Sequence, residues 1–132
     1  MKHFTIEELC KSYVAEKANI DNTPSQEIVA NLTKLVDNVL DPLRERYGMP
    51  IYVNSGYRCK ELNKAVGGVG NSEHLKGMAA DITTRTKEGN MKLFKLAQEM
   101  DLPFRQIIDE SNLSWVHISY NENDIKKQVL KL

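Results

Sequence analysis

Apolar positions between Ile28 and Leu43 recur at three- and four-residue steps: Ile28, Leu32, Leu35, Val36, Val39, Leu40 and Leu43. That is the stripe of a helix with one face on a core. Its start is signalled by Thr23 as cap, Pro24 at the first helical position and Gln26 at the third. Pro42 falls inside the stripe and predicts a kink or a fresh turn; Gly48, with Pro50 just beyond, predicts the end. Upstream, Thr5 and Glu8 form a capping box with Phe4 and Leu9 at the staple positions, which predicts a helix from there to about Lys17. Residues Ala18 to Thr23 read as a turn.

Beyond Gly48 the pattern shortens. Ile51–Val53, Ala79–Thr83, Phe104–Ile108 and Trp115–Tyr120 read as short strands, and Glu88–Met100 as a helix. The stretch Lys64–Gly77 holds four of the seven glycines and predicts an ordered, irregular loop. The tail Ile125–Leu132 fits a strand or a helix. No repeat or linker interrupts the chain, so residues 1–132 are expected to form one α+β domain, N-terminal helices on a small, largely antiparallel sheet.

Composition narrows the functional classes. At 132 residues, 41% hydrophobic and 27% charged, the chain has the make-up of one globular domain. Lys+Arg and Asp+Glu are both 18, a balance that leaves no electrostatic footprint for nucleic acid or an anionic membrane. No apolar run approaches membrane-span length, and Glu7 and Glu8 stand where a signal peptide has its apolar core. The expectation is a protein that accumulates in the cytoplasm. Cys10 and Cys59 form no CxxC pair, which argues against a thiolate metal site or a disulfide framework. Cys59 is read either as a small buried hydrophobe or as a neighbour of the site.

Chemistry concentrates in the strand-and-loop half. His74 precedes Asp81 by seven residues, and His117 lies in the last strand candidate. Imidazole and carboxylate ligands together suit zinc, and three protein ligands leave a position for water. Gly77 permits a turn between His74 and Asp81, and Ala79 and Ala80 allow close approach of neighbouring backbone. A carboxylate after a short apolar run needs a partner if buried. For each residue alone a structural role is the commoner reading: a satisfied core histidine, or an aspartate capping a turn. For Arg58 the plain alternative is an ion pair with Glu61. Trp115, Tyr120, Tyr52 and Tyr57 read as core or as pocket wall.

The combination Ser72-x-His74-x-x-Gly77-x-Ala79-x-Asp81 with Trp115-x-His117 resembles the signature of the zinc D-Ala-D-Ala carboxypeptidase family, which includes phage L-Ala-D-Glu endolysins and shares its fold with the hedgehog signalling domain. Ser55-Gly56-Tyr57-Arg58, Leu62-Asn63 and Val66-Gly67-Gly68 resemble the run preceding it. Phe4-Thr5-x-x-Glu8-Leu9 and Val39-Leu40-Asp41-Pro42-Leu43-Arg44 are similar to the small, phage-associated branch.

The resemblance implies Zn²⁺ held by His74, Asp81 and His117 with water as fourth ligand, Ser72 supporting the site, and Arg58 contacting substrate. It implies hydrolysis of amide bonds in peptidoglycan stem peptides, by a carboxypeptidase or an endopeptidase, with release to the cell wall. Many family members carry a catalytic glutamate three residues before the last histidine; here that position is Ser114. Glu110 matches the glutamate of the small branch and is expected to be the general base, with Asp109 exposed. The alternatives are that both acids solvate a loop tip, or that the protein is an inactive zinc-stabilised binding module of the same fold.

Overall fold

The computed structural model describes all 132 residues. Two short helices open the chain: α1 (Ile6–Cys10) and α2 (Tyr13–Lys17). The Thr5–Glu8 capping box forms in both directions, and Phe4 and Leu9 are buried. The single helix expected as far as Lys17 is instead broken at Lys11 and Ser12. Both have extended backbone, and the Ser12 hydroxyl accepts from the Ala15 amide to cap α2. A second cap was available inside the apolar pattern, and it won.

Helix α3 (Gln26–Leu35) starts two residues later than Thr23-Pro24 predicts. Ser25 is its cap, because Thr23 is engaged by the Asp21 carboxylate through both its amide and its hydroxyl. The stripe then continues without interruption through a π-helical turn (Val36–Leu40) into α4 (Asp41–Tyr47). Pro42 has no N–H for a bond to the carbonyl four residues back, and its ring crowds that carbonyl. The widened turn accommodates both effects, with Asp41 N–H reaching back to Val36 O. Gly48 ends α4 in the left-handed region, φ 80°.

The strands are β1 (Tyr52–Ser55), β2 (Ala79–Thr83), β3 (Gln106–Glu110), β4 (Trp115–Ser119) and β5 (Gln128–Lys131). They form one sheet in the order β1-β2-β4-β3-β5, antiparallel throughout except for the β3–β5 pair. Strand β3 lies two residues further along than its apolar run predicts, because its register with β4 carries the ladder out to Glu110. The tail resolves as a strand. Between β1 and β2 lie α5 (Lys60–Ala65), whose last two residues fall in the stretch expected as loop, and a 3₁₀ turn (Glu73–Lys76). The long helix α6 (Lys87–Glu99) joins β2 to β3.

Alternation splits the sheet into two faces. Ala80, Ile82, Ile107, Val116 and Ile118 join the helices' Leu32, Leu35, Val39, Leu40, Leu43 and Leu93 in one apolar core. The opposite face carries Asp81, Thr83, Trp115, His117, Ile108 and Glu110, aligned by direct cross-strand pairing. Ser55 pairs with Asp81 and Tyr52 with Thr83, so a bulge at Asn54 keeps both on that second face. No helix of the chain is long and apolar enough to cross a membrane.

Candidate metal centre

The two ladder strands deliver Asp81 and His117 to one row of the second face, where they are direct cross-strand partners. His74 arrives from the 3₁₀ turn. Ser72 starts that turn by accepting from the His74 amide at 3.2 Å, and Gly77 closes it at φ 70° before β2 begins. A side chain at Gly77 would also crowd Ile28 and Leu32 of α3, so the glycine serves both the turn and the packing.

Orientation of His74 is set by its other ring nitrogen. Nδ1 lies 2.6 Å from the Gly56 carbonyl oxygen, which can only accept. Nδ1 therefore carries the proton, and Nε2 presents a lone pair. That Nε2 lies 3.3 Å from Asp81 Oδ1, and His117 Nδ1 lies 2.9 Å from the same oxygen. The imidazole rings meet edge to face, centroids 5.2 Å apart. Burial by itself would raise the Asp81 carboxyl; the hydrogen bond from His117 and the closeness of both imidazoles outweigh it and hold the group well below the usual carboxylate range.

The donor set fits a divalent transition metal. One ligand atom from each of His74, Asp81 and His117 lies within 4.8 Å of the other two. Zinc–ligand bonds of ~2.1 Å in tetrahedral arrangement place neighbouring donors about 3.4 Å apart, and the two histidine–aspartate separations, 3.3 and 2.9 Å, lie near that. The proton on His74 Nδ1 and its carbonyl partner match the outer-sphere bond that ligating histidines normally make. Two imidazoles and one carboxylate are the hard-to-borderline donors that suit zinc.

Arg58 stands beside this group. Its guanidinium donates long bonds to Ser55 Oγ (3.4 Å) and Ser72 Oγ (3.3 Å), and its buried Nε has no partner. It makes no ion pair with Glu61; desolvation lowers its affinity for the proton, opposed by the charge of Asp81. Ser72 thus touches both the His74 turn and Arg58.

The two acids at the end of β3 separate by face. Asp109 points to the helix side, and its Oδ1 accepts from the Leu113 amide at 2.7 Å across the tight β3–β4 turn. It is half-buried, not exposed as expected, because that turn runs through three consecutive residues of positive φ, Ser111–Leu113, and needs an acceptor for its amide. Glu110 is half-buried on the metal-site face, opposite Trp115 and one row from His117, outside the three-residue cluster. Ser114 donates its hydroxyl to Ser111 O and serves the same turn.

A family model described as Peptidase M15 matches residues 2–119, far more than half of the chain. The chain belongs to the peptidase M15 family. Membership makes it a metallopeptidase by family, in agreement with the resemblance that the histidine and aspartate signature carries. No curated protein matches this M15 chain in a sequence search. The family match ends at Ser119, so β5 lies outside it.

Sequence reasoning missed three supports of the M15 site. Gly56 supplies the carbonyl for His74, and a Cβ there would collide with the Leu9 carbonyl, so only glycine lets this strand end meet α1. Asn22 ties that loop down, donating to the Cys10 and Tyr57 carbonyls and accepting from Cys59 N–H. Cys59 caps α5, its Sγ accepting from Leu62 N–H. Trp115 and Tyr52 belong to the metal-site face, whereas Tyr57 and Tyr120 pack against the core. A backbone carbonyl leaves no signal in side-chain pattern, which is why Gly56 was not legible.

Proposed function

We propose that this protein is a zinc peptidase that hydrolyses amide bonds in bacterial peptidoglycan stem peptides. The observation that carries the reading is the convergence of His74 Nε2, Asp81 Oδ1 and His117 Nδ1 on one point of a half-buried sheet face. In this reading those three atoms hold the ion, and Ser72 and the Gly56 carbonyl keep His74 turned towards it. Zinc supplies Lewis acidity, polarising an amide carbonyl and acidifying water at neutral pH.

The remaining residues have separable tasks. Arg58, with no acidic partner, grips a substrate carboxylate with two parallel hydrogen bonds; a terminal D-Ala and a D-Glu unit both offer one. Glu110 takes the proton from the attacking water and delivers it to the leaving amine nitrogen. Its row lies about 7 Å from that of His117 along the strand, within reach of its two methylenes and an intervening water. Trp115, directly opposite Glu110, limits the water around that carboxylate.

The test is hydrolysis of defined muropeptides followed by mass spectrometry, which also reads which bond is cut. Glu110→Gln is expected to keep its zinc and to lose about 10²–10⁴-fold in kcat. His117→Ala is expected to lose both zinc and turnover. Zinc bound equally by His117→Ala would overturn the ligand assignment. Wild type that binds zinc but cleaves no muropeptide would be an inactive binding module.

A further inference from the structure

Arg85 sits in the left-handed region at φ 73°, a conformation that costs a residue with a side chain and that glycine adopts freely. The fold holds it there: its amide donates to Thr83 Oγ1 at 3.0 Å, and the preceding Thr84 amide donates to buried Asn90 at 2.7 Å. The result is a guanidinium laid on the Tyr52 ring, its carbon 3.6 Å from the ring centroid. Stacking leaves the N–H edge of the guanidinium free, and the side chain is solvent-exposed.

Charge in this region is unbalanced. The lysines and arginines that pair with acids are Lys2, Lys34, Arg105, Lys126 and Lys127, all elsewhere. Arg85 and Lys87 instead line a cleft of about 370 Å³ at the ends of β2 and β4, with Thr83, Asn112 and Ser114 and no carboxylate. Tyr52, Thr83, Trp115 and Glu110 share one row of the metal-site face, adjacent to the row of Asp81 and His117. Row spacing is about 7 Å, the span of roughly two extended residues of a bound peptide.

We propose that Arg85, stacked on Tyr52 and backed by Lys87, is a second carboxylate-binding subsite that reads an acidic group of the peptide substrate up to two residues from the reacting amide. The proposal rests on the peptidase reading above. Arg58 and Arg85 then divide the work: Arg58 holds a carboxylate beside the metal row, and Arg85 holds another one row away. Tyr52 fixes the guanidinium plane, so that two N–H groups face the incoming carboxylate together.

The experiment uses the full-length zinc-loaded protein and the synthetic tripeptide L-Ala-γ-D-Glu-L-Lys, which has two carboxylates, together with its two singly amidated forms. Binding is measured by calorimetry, and hydrolysis is followed in parallel. In wild type, each amidation is expected to weaken binding about tenfold, the scale of a charge-assisted hydrogen-bonded pair at a partly exposed site. Arg85→Gln should lose one of these penalties and keep the other. Arg85→Gly should lose the same penalty while its Tm holds or rises, which separates the effect from misfolding.

Arg85→Gln retaining both penalties would overturn the subsite, as would wild type that does not bind the tripeptide. If the binding pattern appears while neither the tripeptide nor a D-Ala-D-Ala-terminated stem pentapeptide is hydrolysed, the subsite stands and the peptidase reading fails. If hydrolysis proceeds while Arg85→Gln keeps both penalties, the peptidase reading stands and the subsite fails.

Discussion

Single residues decide whether His74 is a usable ligand. The Gly56 carbonyl holds the proton on Nδ1, and it is there only because the Gly56 Cα can lie against the Leu9 carbonyl. Gly56→Ala is therefore expected to cost about 1–3 kcal/mol by overpacking and to weaken zinc binding 10–100-fold through the displaced carbonyl. Urea unfolding and competitive zinc titration read the two effects separately. Cys10 gives a different signature. Burial pushes its thiol up to about 11 from an ordinary value near 9. The native state therefore keeps a proton that the unfolded chain has released. That contribution is complete below pH 9 and is lost as pH rises through 11. Since the residue is only half-buried, screening holds the loss to about 1 kcal/mol or less. Cys10→Ser should flatten this part of the urea midpoint against pH; an unchanged slope would show that the thiol does not report on folding.

At the scale of elements, the site depends on joints between them. Asn90 on α6 is almost fully buried and accepts from the Thr84 amide while donating to Leu113 O and Ser114 O. It thereby ties the end of β2 to the turn that positions Glu110 and Trp115. Gly89 beside it leaves room for Thr84 Oγ1, which a Cβ would strike. Asn90→Ala strands at least one amide and two carbonyls, and a loss of about 3 kcal/mol is expected from thermal or urea unfolding. Hydrolysis should fall more than zinc affinity, because His74, Asp81 and His117 are held by other contacts. The π-helical turn is a second joint. It lets one apolar stripe run from Ile28 to Leu43 past Pro42 without leaving the core.

Across the whole molecule, the three residues proposed as ligands come from two strands and a turn, spread over 44 positions from His74 to His117, so an ion bound there is expected to stabilise the assembled fold. At about a hundredfold excess over Kd, zinc should add about 2.7 kcal/mol, visible as a rise in Tm that a chelator reverses. His117→Ala should abolish the difference. A Tm insensitive to zinc and chelator alike would argue against an ion at this site. The electrostatic layout is also a property of the whole: one sheet face lies in the apolar core, and the other carries Asp81, His117 and Glu110, with Arg58 beside Ser55 and Ser72 and Arg85 stacked on Tyr52.

What could be read along the chain was what local physics governs. The Thr5–Glu8 capping box, the Gly48 and Gly77 turns and the Ala79–Thr83 strand all depend on neighbours within a few residues. His74, Asp81 and His117 were picked out together by the family signature, and the fold brings the three side chains to one place. The rest was decided by tertiary contact. Ser12 and Ser25 were chosen as caps over a continued helix and over Thr23. Register with β4 placed Glu110 on the metal-site face and Asp109 on the other. Arg85 was set on Tyr52 by a buried asparagine five residues away. Side-chain chemistry is written residue by residue, but which face of a sheet a residue occupies, and which backbone carbonyl it meets, exists only once the strands have paired.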